Sequence, residues 1–233
     1  MTSRENIGKY ISNSSTLNES LNYNFFNNIQ VYIKEPLPEK FDLSYVFGKV
    51  EDLIPKQFVY NIDSIIIGQF DEFLEKKVNA SYKDGILYIT NNQDDANDMI
   101  DDIVHEIAHA VEEMARGEIY DDDGIKNEFL GKRERLYNIC KKENIDVSLD
   151  DFLNINFSQD YDDLLYKTIG YPLLVNLSMG LFLSPYSITS VREYFAIGFE
   201  HYYLKDRNYL RTISPKVYQK INYLETLSTR GDS

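Results

Sequence analysis

Two of the three histidines of this chain stand four residues apart in "DDIVHEIAHAVEEM" (Asp101–Met114), and Glu106 directly follows the first of them. On a helix, residues four apart lie about 40° from each other on one face, one turn above the other. Two imidazoles so placed can bind one zinc ion, and an acid beside them can act on water held there. His105 and His109 are therefore candidate ligands of a single Zn2+, and Glu106 is a candidate general base. The plainer interpretation is a solvated acidic helix that contains histidines by chance. The fixed offsets of all three groups weigh against it.

A catalytic zinc needs a third protein ligand and an open position for water or substrate. His201 is the remaining histidine, and Glu193 is the other candidate, both in "SPYSITSVREYFAIGFEHYYL" (Ser184–Leu204). Phe195, Ala196, Ile197, Phe199, Tyr202 and Leu204 make that segment apolar nearly all round. A helix of this kind is buried, and a carboxylate on it needs a positively charged partner. Glu193 also suits a capping box with Ser190, three residues earlier. The residues leave Glu193 and His201 equally open.

The elements that must position these groups are legible in part. "IQVYIKE" (Ile29–Glu35), "DSIIIGQF" (Asp63–Phe70) and "GILYIT" (Gly85–Thr90) are rich in Val, Ile, Tyr and Phe and bounded by turn formers, so they predict strands. "KDG" (Lys83–Gly85) signals a turn, and "DEFLEKKV" (Asp71–Val78) a short helix. From Asp95 the period becomes helical. Ile100, Ile103, Ile107, Val111 and Met114 mark one buried stripe, acidic residues fill the first turns, and Gly117 is the expected stop. Helices are expected at about 127–143, 161–183, 190–204 and 215–227. The result is an α+β chain: a small mixed β-sheet with the histidine helix, then a mainly helical C-terminal lobe. It is expected to form one domain, with a polar segment at 1–28, an α/β lobe at 29–117 and the helical lobe at 118–233.

Composition narrows the function. The 233 residues carry a formal charge of −14, which disfavours a sequence-independent grip on nucleic acid. The single cysteine, Cys140, excludes an intrachain disulfide and is expected to be structural. "YPLLVNLSMGLFL" (Tyr171–Leu183) is too short to span a bilayer and predicts a buried helix, so no membrane partner is expected. The polar start has no signal-peptide pattern; a cytoplasmic location is expected unless a leader has been removed, with secretion as the alternative. "DDDG" (Asp121–Gly124) lacks the ligand alternation of a calcium loop and predicts a solvated turn. The terminal "RGDS" (Arg230–Ser233) is taken as chance.

Three segments carry a resemblance to a family. "HEIAHAVEE", "PYSITSVREYFAIGFEHYY" and "SPKVYQKINYL" (Ser214–Leu224) resemble the gluzincin metallopeptidases of the anthrax lethal factor type, which include Pro-Pro endopeptidases; some similar segments occur in phage-encoded proteins. "GILYIT" is similar to that family's strand bordering the cleft. The resemblance covers the second half of the chain and a little before it, and residues 1 to about 60 have no counterpart. It implies a zincin-like fold and a zinc-dependent endopeptidase acting on a polypeptide. It also implies His105, His109 and Glu193 as zinc ligands, Glu106 as the base that activates water, and Tyr186 as the hydroxyl facing the oxyanion. Ile86, Leu87, Tyr88, Ile89 and Thr90 would be an edge strand pairing with extended substrate. Two features depart from the pattern. Glu193 stands 84 positions after His109, and Ile197 stands where some gluzincins place an aspartate that orients a histidine. Asp101, Glu112 and Glu200 are therefore candidates for the orienting role. The alternatives are a non-catalytic or virion-associated protein that keeps the fold, and a zinc hydrolase of a non-peptide bond. Oligomeric state is not legible.

Overall fold

The computed structural model describes residues 24–38, 41–76 and 78–228. The chain divides into two compact units, Met1–Val111 and Glu112–Ser233. Most of the polar N-terminal segment and the terminal "RGDS" lie outside the described residues.

The first unit holds β1 (Asn24–Phe25), β2 (Ile29–Ile33), α1 (Leu43–Leu53), β3 (Ser64–Gly68), α2 (Asp71–Lys76), β4 (Ala80–Lys83), β5 (Ile86–Thr90) and α3 (Ala96–Met114) up to Val111. Its five strands form one mixed sheet in the order β1-β2-β3-β5-β4. β2, β3 and β5 run parallel, while β1 and β4 pair antiparallel at the two edges. The central strand reads "SIIIG" and is buried along its whole length, the uninterrupted apolar run of a strand covered on both faces. The β4–β5 hairpin turns on Asp84 (φ 51°) and Gly85 (φ 83°), two left-handed residues that suit the twist of the flanking strands.

That hairpin corrects one expectation. Ile86–Thr90 is not an edge strand: β3 pairs with it on one side and β4 on the other, so its main chain is committed to the sheet. Ile86, Leu87 and Ile89 are buried, and Tyr88 and Thr90 are half-buried. The edge is β4, which the sequence reading passed over. Thr90 N–H donates to Asn79 O at 2.7 Å, and the alternation of an antiparallel pair then points the Tyr82 amide away from β5.

α3 places Ile100, Ile103, Ile107 and Val111 in the core, 0–4% exposed, as its period demands. Met114 departs from that stripe and is 45% exposed. The helix ends at Met114, and Gly117 lies inside the short α4 (Arg116–Tyr120) rather than ending the previous one.

The second unit is helical. After α4 come α5 (Gly124–Lys142), α6 (Leu149–Leu153), α7 (Gln159–Asp163), a π-helical stretch (Leu164–Gly170), α8 (Tyr171–Ser178), a 3-10 turn (Tyr186–Ile188), α9 (Val191–Leu204), α10 (Arg207–Ile213) and α11 (Pro215–Ser228). The single helix expected at 161–183 is broken at Gly170, whose φ of 85° only glycine adopts at low cost. Nor is Tyr171–Leu183 buried throughout: Leu174 is, but Tyr171 and Met179 are exposed. Cys140 is buried, as expected of a structural thiol. α9 is apolar nearly all round, with Tyr194, Phe195, Ala196, Phe199 and Tyr202 buried. Gly198 lets α9 and α11 approach, since a methyl there would collide with Val217. Among the described residues, no helix is long and apolar enough to cross a membrane.

One buried lysine gives this unit a pH signature. Lys132 Nζ donates to Ile213 O at 2.5 Å and to Ser214 Oγ at 3.1 Å, and lies 4.9 Å from the Tyr194 ring centre. Burial, the largest cause, pushes its pKa down to about 8. The unfolded lysine titrates near its usual value of about 10.4. Between those values the unfolded chain holds more protons, so stability rises with pH. From pH 8 to 9.5 the gain is expected to be about 1.5 kcal/mol. Urea unfolding of the wild type and Lys132→Met tests this. The rise should vanish in the variant, and equal slopes would refute it.

Candidate metal centre

In the first unit, α3 brings His105 and His109 together, with ring centres 4.9 Å apart and planes at 82°. The helix is started by Asp95, whose carboxylate accepts from the Asn97 and Asp98 amides at 2.6 and 3.1 Å. The buried isoleucine stripe fixes its rotation, leaving His105 half-buried and His109 7% exposed.

Glu106 is also buried, at 8% exposure, and its carboxylate accepts the outward Tyr82 amide of β4 at 2.6 Å. A carboxylate held by a main-chain donor on a sheet edge has a fixed direction, which a general base needs. Tyr82 is fixed in turn, since its hydroxyl contacts Asn61 Nδ2 at 2.6 Å and Asn61 O at 3.1 Å. Sequence reasoning missed this contact because a main-chain donor on an unrecognised strand leaves no trace in residue types.

Two of the orienting candidates, Glu112 and Glu200, are ion-paired. Glu112 Oε1 accepts from Tyr120 Oη at 3.0 Å and its Oε2 from Arg192 Nε at 2.8 Å. Glu200 is ion-paired with Lys205 at 3.1 Å. Asp102, not among the three candidates, feels the charge of His105 and accepts from Gln93 Nε2 at 3.3 Å. Burial, the largest cause, pushes its carboxyl up to about 6, while Gln93 and His105 act against that rise. Its place three residues before His105 was the available signal.

In the second unit, Tyr186 opens the 3-10 turn and is 41% exposed. Ser190 caps α9, its Oγ accepting the Glu193 amide at 3.2 Å, which is one half of the expected capping box. The Glu193 side chain is half-buried. Its charge adds to the rise of the Tyr166 hydroxyl to about 12, after burial, Asp162 and Tyr171. His201 lies eight residues on, about 12 Å along the helix axis from Glu193, with its ring 6.3 Å from that of Tyr209.

Compared with known proteins, the sequence matches no family model, no curated protein and no solved structure.

Proposed function

We propose that the chain is a zinc-dependent endopeptidase of zincin-like fold. The observation that carries this is the α3 constellation, in which two imidazoles share one face and the buried Glu106 carboxylate beside them is aimed by the sheet edge. His105, His109 and Glu193 are the proposed ligands of one zinc ion. In support, the two α3 imidazoles have ring centres 4.9 Å apart, near enough to share one ion. Two imidazole nitrogens and a carboxylate oxygen are a donor set that suits zinc and leaves a fourth position open.

Bound there, zinc would acidify a water and polarise the substrate carbonyl. Glu106 takes the proton of the attacking water and later returns it to the leaving amine. The Tyr186 hydroxyl would donate to the developing oxyanion. With β5 committed to the sheet, the substrate strand moves to β4, the last strand of the sheet, whose outer edge beside the Tyr82 amide held by Glu106 can pair with an extended peptide.

The test combines metal analysis with a peptide-library screen run with and without chelator. A chelator-sensitive cleavage by zinc-loaded protein is expected. Zinc retention without cleavage of any peptide would refute the endopeptidase reading, and a folded protein that takes up no zinc would refute the site.

A further inference from the structure

Arg133 is wholly buried in α5, at 0% exposure. Its described hydrogen-bond partners are three main-chain carbonyls: Nε donates to Ile188 O at 2.9 Å, Nη2 to Thr189 O at 3.0 Å, and Nη1 to Asn154 O. The guanidinium lies 4.0 Å from the Tyr161 ring centre and 4.7 Å from that of Phe129. No carboxylate pairs with it among the described residues.

Burying a charge without a counter-ion is costly, and an apolar side chain of similar volume would often stabilise more. What the planar fork supplies is geometry: it can hold carbonyls from two chain segments in one fixed plane, which a lysine ammonium cannot reproduce. Two of those carbonyls, Ile188 and Thr189, lie between Tyr186 and Glu193. The same strip is pinned at Val191, whose amide donates to Ile155 O at 2.9 Å, next to the Asn154 carbonyl that Arg133 also holds.

We infer that Arg133 is a positioning residue that sets the Tyr186 hydroxyl and the Glu193 carboxylate relative to each other by clamping the strip between them. The inference rests on the metal site proposed above. Arg133 touches neither zinc nor substrate and acts through the carbonyls it holds.

The test compares wild type with Arg133→Lys, and with Leu224→Ala as a destabilised control in α11, where Leu224 is 6% exposed. Zinc affinity is read by chelator competition below every unfolding midpoint, and the visible spectrum of the cobalt-substituted protein reports the ligand set. Arg133→Lys should weaken zinc about tenfold and alter the cobalt spectrum, an effect of the size seen when groups that orient metal ligands are removed. Leu224→Ala should change neither. If Arg133→Lys does not fold, Tyr161→Leu, which removes one stacking face and keeps the guanidinium, should weaken zinc at least about threefold by the same logic. Wild-type affinity and spectrum in the Arg133 or Tyr161 variant would overturn the inference, as would an equal loss in Leu224→Ala. Failure of the wild type itself to bind zinc would overturn the metal reading and this inference with it.

Discussion

Glu106→Gln is expected to keep zinc and lose about a thousandfold in kcat, within the range that general acid–base catalysis contributes. The substitution is close to isosteric, and a carboxamide oxygen can still accept the Tyr82 amide that Glu106 now receives at 2.6 Å. The side chain should therefore stay where it is, 8% exposed, with no new cavity. What disappears is the ability to take a proton from the attacking water and return it to the amine. His105 and His109 are untouched, so zinc content should equal that of the wild type. Metal content and initial rates on one preparation check both halves. Near-wild-type turnover would refute Glu106 as the base. A parallel loss of zinc would instead make Glu106 part of what holds the metal.

How much of this was legible follows from what periodicity can encode. α3 was legible because its isoleucine spacing and its two histidines are independent signals that agree on one helix. The "DSIIIGQF" run likewise showed a strand, whose burial over Ser64–Gly68 the structure adds. Which strand lies at an edge was not legible, because alternation describes the faces of a strand and not its neighbours. "ASYK" is short and partly polar, so β4 went unread and β5 took its place as the edge. The helix over 161–183 was overextended because its apolar content masked one glycine whose backbone is left-handed. Arg133 and Lys132 stand side by side in a strongly charged helix, where composition suggests a solvated face; only the aromatic residues and carbonyls around them show that both are buried. Asp102 was passed over for Asp101 because three- and four-residue offsets are both neighbours on a helix.

The third ligand is the point at which residue types alone left two choices, and Glu193→Ala separates them. Zinc affinity is expected to fall by at least about a hundredfold, more than removal of an orienting partner costs, because a direct donor is lost. The fold should survive. The cap of α9 uses the Glu193 amide, which alanine keeps, so Ser190 Oγ still has its donor. Alanine also favours the helix more than glutamate does. The buried face of α9, from Tyr194 to Tyr203, is unchanged by truncating a half-buried side chain beside it. Loss of zinc with helicity and unfolding midpoint intact would therefore report ligation and not collapse. His201→Ala supplies the converse. That imidazole lies more than two helical turns beyond Glu193, too far along the axis for both to serve one ion from the same helix. It should keep wild-type zinc. Unchanged zinc in Glu193→Ala together with loss in His201→Ala would reverse the assignment. It would also leave the Arg133 clamp with no ligand to position.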